Sequence, residues 1–220
     1  EIGSLGANAD LMIDTTRPYG SLVRATAPAY TREGGNHPFD IPDIGFYATP
    51  ALVDIDDDSD LDLFIGEDSG KTHFFRNTGS PKDPAYIQED GDEPFGISDV
   101  RYPNYFWGPG PKPAFADIDN DGDLDLFIGD YFGKIRFFRN TGSASTPAYI
   151  QEAGDSAPLE CPYQERPCAR NPFGIVDVGY YSYPAFADID DDDDLDLFVS
   201  NSKGQIVFFR NTSSAKDPAY

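Results

Sequence analysis

A thirteen-residue acidic segment occurs three times in this chain. It reads Asp54-Ile-Asp-Asp-Asp-Ser-Asp-Leu-Asp-Leu-Phe-Ile-Gly66, then Asp117-Ile-Asp-Asn-Asp-Gly-Asp-Leu-Asp-Leu-Phe-Ile-Gly129, then Asp188-Ile-Asp-Asp-Asp-Asp-Asp-Leu-Asp-Leu-Phe-Val-Ser200. Each copy runs into a Gly-containing turn and then Phe-Phe-Arg-Asn-Thr, at 74–78, 137–141 and 208–212. Pro-Ala-Tyr marks the period, at 28–30, 84–86, 147–149 and 218–220, and Pro-Phe precedes each acidic segment. A fixed internal period means a repeat architecture, in which each unit buries its apolar face against its neighbours. The intervals from 28 to 84, 84 to 147 and 147 to 218 are 56, 63 and 71 residues. The growth falls in two insertions, Tyr105–Pro111 and the stretch that holds both cysteines. Such confined length changes mark surface loops on a repeated scaffold.

Within a unit the pattern is that of short strands. Pro113–Asp117, Leu124–Gly129, Lys134–Arg139 and Ala148–Gln151 are apolar or alternating runs rich in Phe, Ile and Tyr, bounded by Gly, Asn and Asp. With 21 Gly and 19 Pro, turns are frequent, and no stretch holds a helical period over eleven residues. The expected fold class is therefore all-β, with β-propeller-type blades of about four antiparallel strands. The expected units are 28–83, 84–146 and 147–217, with the start of another at 218–220. Residues 1–27 form a partial, degenerate unit: Asn8–Ile13 resembles Asp123–Ile128, and Gly20–Arg24 resembles Gly133–Phe137, without the acidic loop. Three and a half units are fewer than the ~4–8 blades of a closed propeller. The ring is then expected to be open, or completed by neighbouring blades of a longer chain or by further copies in a homo-oligomer or filament.

The acidic segments are candidate metal sites. Carboxylates at alternate positions of a tight loop converge, and a residue able to take positive φ at the sixth position allows the turn. Side chains at the first, third, fifth and ninth positions and the carbonyl at the seventh are the expected ligands. They are Asp54, Asp56, Asp58, Asp60 and Asp62; Asp117, Asp119, Asp121, Asp123 and Asp125; and Asp188, Asp190, Asp192, Asp194 and Asp196. Hard oxygen donors select Ca²⁺, at about three sites, over softer metals or the stricter Mg²⁺. The sixth position is Gly122 in the second loop but Ser59 and Asp193 in the others. No Lys or Arg lies inside a loop, so the clustered carboxylates need a counter-ion.

On these residues the chain resembles the VCBS/FG-GAP repeat family, the calcium-binding β-propeller blades of integrin α-subunits among them. The matching pieces are Ala114–Gly129 and Phe137–Gly142. The resemblance implies Ca²⁺ at the positions named and an extracellular, secreted or cell-surface location.

The chain has 39 Asp+Glu against 16 Lys+Arg, a formal charge of −23, which argues against nucleic acid and for cations. No apolar run approaches the ~18 residues that span a bilayer, so no membrane insertion is expected. Cys161 and Cys168 share one insertion and are expected to form a disulfide. Tyr105 and Trp107 in the other insertion are candidate ligand contacts for a glycan or protein partner, or cover for their own blade. Asn211-Thr-Ser213 is a glycosylation sequon, with a turn role as its alternative. Neither His37 nor His73 sits in a catalytic motif, and the clustered carboxylates are accounted for as metal ligands. The expected function is non-catalytic: a calcium-stabilised repeat protein for adhesion or self-assembly. The alternatives are a carbohydrate-binding lectin and an accessory segment of a larger secreted enzyme.

Overall fold

The computed structural model describes residues 11–14, 21–24, 32, 35, 37–89, 94–100, 110–152 and 172–212. The chain divides into two compact units, Glu1–Pro38 and Phe39–Tyr220. The first holds one antiparallel hairpin, β1 (Leu11–Asp14) with β2 (Ser21–Arg24). Met12 pairs with Val23 there. The alignment with the later units would place Arg24 opposite Met12, because Phe127 pairs with Phe137. Six residues separate the paired Asp14 and Ser21, against five between Gly129 and Ile135, so the connection is one residue longer than in its relatives.

The second unit is three antiparallel sheets. Sheet 1 is β3 (Thr49–Val53), β4 (Asp62–Gly66), β5 (Thr72–Asn77) and β6 (Tyr86–Gln88). Sheet 2 is β7 (Lys112–Ala116), β8 (Asp125–Gly129), β9 (Ile135–Asn140) and β10 (Tyr149–Gln151). Sheet 3 is β11 (Tyr183–Ala187), β12 (Asp196–Ser200) and β13 (Ile206–Phe209). The strands are ordered as in the sequence, so each sheet is a meander closed by tight turns. Among the described residues the only helical segments are three-residue turns at Pro38, Pro94 and Pro172. The all-β, bladed architecture expected from the repeat is what the chain adopts. The sheets are out of phase with the Pro-Ala-Tyr period: β6 and β10 follow that motif yet finish the preceding sheet.

The first strands of the sheets are neighbours, β3 beside β7 and β7 beside β11. Each interface buries aromatic side chains. Phe64 and Phe74 of sheet 1 meet Phe115 and Phe95, and Phe127 and Phe137 of sheet 2 meet Phe186 and Phe173. Phe95 and Phe173 come from the Pro-Phe turns and hold φ of 54° and 55°. A bulky residue rarely adopts that left-handed conformation. Here it aims the ring at the preceding sheet, and burial among Phe rings at 4.8–6.1 Å offsets the strain. Ile55, Ile97, Val100, Leu126 and Ile128 fill the first interface; Ile118, Ile135, Ile175, Leu197 and Val199 belong to the second. Glycine sets the spacing. A Cβ on Gly66 would stand 1.9 Å from the Pro111 carbonyl oxygen, and one on Gly129 2.2 Å from that of Ser182. Only a residue without a side chain lets backbone meet backbone there.

Candidate metal centre

Each acidic loop joins the first strand of a sheet to the second. Carboxylate oxygens of Asp54, Asp56 and Asp58 lie within 4.8 Å of one another, as do those of Asp117, Asp119 and Asp121, and those of Asp188, Asp190 and Asp192. The loops organise themselves by the same hydrogen bonds. Asp117 accepts from the backbone N–H of Asp121 and Gly122, both at 3.1 Å, and Asp121 Oδ1 accepts from Asp123 N–H at 3.1 Å. Asp54 accepts from Asp58 and Ser59, at 3.1 and 3.0 Å, and Asp58 from Asp60, at 3.0 Å. Asp188 accepts from Asp192 and Asp193, and Asp192 from Asp194. The sixth position has positive φ in all three loops: 75° at Ser59, 95° at Gly122 and 67° at Asp193. Ser59 adopts the conformation despite its Cβ. The fourth position is left-handed too, at Asp57, Asn120 and Asp191. Asp and Asn tolerate it, and that was the signal available in the sequence.

The ninth-position aspartates are buried in the second strands. Oδ1 of Asp62, Asp125 and Asp196 accepts the backbone N–H of Asn77, Asn140 and Asn211, at 2.6, 2.7 and 2.7 Å. Oδ2 of each is enclosed without a hydrogen-bond partner, as are Oδ1 of Asp56, Asp60, Asp119 and Asp123. Burial pushes the Asp62 carboxyl up to about 6 and that of Asp125 up to about 7, with Asp56 and Asp58, or Asp119 and Asp123, adding to the rise. The hydrogen bonds from Asn77 and Asn140 oppose it. Buried acceptor oxygens left without donors carry the full cost of lost hydration. A hard cation with several oxygen ligands would remove that cost, so the donor set fits one.

Charge compensation comes from outside the loops, where the sequence reading found none. The arginine of each Phe-Phe-Arg-Asn-Thr motif reaches the third-position aspartate: Arg76 pairs with Asp56, Arg139 with Asp119 and Arg210 with Asp190. Arg76 and Arg139 also bond Glu89 and Glu152, both at 2.5 Å. In the first two loops each arginine engages one oxygen, Oδ2, and leaves Oδ1 of the same carboxylate unbonded. Recurrence of the arginine at one register was the signal for it. The Pro-Ala-Tyr tyrosines brace the loop exits: Tyr86 donates to the Leu61 carbonyl at 3.0 Å and Tyr149 to that of Leu124 at 2.6 Å. Asn77 and Asn140 fix the next turn through Oδ1, which accepts from Gly79 and Ala85, and from Gly142 and Ala148, at 2.9–3.0 Å. Asn211 is buried at the equivalent position. Cys161, Cys168, Tyr105 and Trp107 lie outside the described residues.

Residues 54–128 match the family model of the FG-GAP-like repeat. Over that stretch, about a third of the chain, it is similar to the FG-GAP-like repeat. The match runs from the first acidic loop through the strand that follows the second, so it takes in both loops and the interface between sheets 1 and 2. FG-GAP-like repeats are units of propeller-type repeat proteins, in agreement with the bladed sheets. No curated protein matches the chain.

Proposed function

We propose that this is a calcium-stabilised, extracellular repeat scaffold that serves adhesion or self-assembly and performs no catalysis. The observation that carries the reading is the buried Oδ2 on Asp62, Asp125 and Asp196, each without a hydrogen-bond donor and beside a converging aspartate trio, with Arg139 4.0 Å from that of Asp125. Asp117, Asp119, Asp121 and Asp125 would hold the ion in the second loop, with the Asp123 carbonyl, and the matching residues would do so in the first and third. The ion would supply positive charge and nothing else, joining the two strands that flank each loop. Extracellular calcium modules bind at ~10⁻⁴–10⁻³ M. At a tenfold excess over Kd each site adds about 1.4 kcal/mol, and three sites roughly 4 kcal/mol, a large share of a domain's net stability. The test is thermal unfolding of the full chain in calcium and in EDTA. Chelation is expected to lower Tm by ten degrees or more, about the size implied by a loss of roughly 4 kcal/mol. Identical melting curves would overturn the calcium reading.

A further inference from the structure

The fold holds an arginine against the second acidic loop from three sides. Arg139 Nη1 donates to Asp119 Oδ2, and its Nε donates to Glu152 Oε1 at 2.5 Å. Its guanidinium carbon lies 5.2 Å from the centre of the Phe137 ring, and Nη1 stands 4.0 Å from Oδ2 of Asp125. The first loop repeats the arrangement: Arg76 bonds Asp56 and Glu89 and lies 5.3 Å from the centre of the Phe74 ring. Glu152 and Glu89 are tied to the sheets in turn, their backbone N–H groups donating to the carbonyls of Phe137 and Phe74 at 3.1 Å. The anchors of each guanidinium therefore belong to the third strand and the end of the fourth, outside the loop. Asp119 and Asp125, which it faces, are two of the side chains that would hold the ion.

We propose that Arg76 and Arg139 are built-in counter-ions that compete with the divalent ion for the same carboxylates and hold its affinity down. The inference rests on the calcium reading of the loops and deepens it. Two cations that neutralise one set of charges each reduce what the other gains, and the coupling is reciprocal. Screening is weak here, because the side chains of Asp119 and Asp125 are only 19% and 2% exposed. The opposite role, in which the arginine raises affinity by ordering Asp119, is worth one restrained side chain. That is less than the repulsion between a divalent ion and a guanidinium sharing a carboxylate. An emptied loop then keeps part of its charge balance. Loading follows the ambient calcium concentration in the weak range of ~10⁻⁴–10⁻³ M.

Chelator-competition titration of the full chain with calcium tests it, using Arg139→Gln and Arg139→Lys. The glutamine variant is expected to bind more tightly, the product of the stepwise association constants rising ~tenfold. The lysine variant keeps the charge and is expected to stay within ~threefold of the wild type. A glutamine variant that binds no more tightly than the wild type overturns the inference. So does a lysine variant that binds as tightly as the glutamine one, since charge would then not be the cause. Melting curves give a second readout: Arg139→Gln is expected to lose more stability in EDTA than in saturating calcium, as the cycle of mutation and ion requires. Equal losses in both would mean a purely structural arginine and would overturn the proposal. If Arg139→Gln fails to fold, Arg76→Gln takes its place in the first loop with the same expectations. A wild type that binds no calcium removes the calcium reading and this inference together, whereas a wild type that binds, with unchanged affinity in the glutamine variant, removes this inference alone.

Discussion

Sheets 2 and 3 share almost the same strand sequences and live in different surroundings. Phe127 and Phe198 occupy one register, pairing with Phe137 and Phe208 at ring distances of 4.8 Å in both sheets. Phe127 is fully buried because Phe186 and Phe173 cover it, whereas the face around Phe198 and Phe208 has no such cover among the described residues. The local strand pairing is thus encoded within a unit, and burial is conferred by the next one, as in repeat proteins whose stability is a sum of unit and neighbour contributions. The difference in glycine follows the same line: Gly66 and Gly129 face a following sheet, and Ser200 does not.

The largest effect that can break this comparison is a core truncation. Phe127→Ala is expected to cost about 3–5 kcal/mol and Phe198→Ala well under half of that, because the second site already lies partly open. Equal losses in urea denaturation would show that burial at the two registers is the same. Next comes spacing. Gly129→Ala forces a Cβ against the Ser182 carbonyl and Pro184 Cδ, at 2.2 and 2.7 Å, and is expected to destabilise by about 2 kcal/mol or more. Ser200→Gly meets no such contact and is expected to leave stability within about 1 kcal/mol in the same urea denaturation. A loss as large as that of Gly129→Ala would contradict the difference between the two corners.

A smaller effect separates the sheets by pH. Lys112 begins β7, at the register of Thr49 and Tyr183 in the other first strands, and is buried beneath the rings of Tyr181 and Tyr183. Burial lowers its ammonium to about 8, with Asp130 acting the other way. Between about pH 8 and 10 the unfolded chain then binds the proton that the folded chain has released, so folding stability rises with pH in that window, by at most about 3 kcal/mol. Lys112→Met is expected to remove the rise; a slope unchanged in denaturant titrations at pH 8 and 10 would assign it elsewhere.

The strand runs, the turns and the three acidic loops were legible because their signals are local: alternation, glycine, and carboxylates spaced two apart. The arginine partners were not, since Arg139 meets Asp119 from 20 residues away across two strands and a turn. The left-handed Phe95 and Phe173 were equally hidden, because a bulky residue rarely adopts that conformation and nothing in the Pro-Phe pair itself announces it. The grouping of Ala148–Gln151 with the three strands before it was legible, and the structure supplies its reason. Pro-Ala-Tyr is the clearest punctuation in the sequence, but Tyr149 belongs with the sheet whose loop it braces, through its hydroxyl bond to the Leu124 carbonyl. The weaker sixth positions, Ser59 and Asp193, did not alter the turn, since hydrogen bonds from the loop backbone to Asp54 and Asp188 hold it.

The central claim is that each acidic loop is built around a divalent ion. Native mass spectrometry of the full chain in millimolar calcium tests it most directly. The expected mass is that of the chain with three calcium ions, falling to two in Asp121→Ala. A chain that carries no calcium under those conditions, with folded charge states, would contradict it.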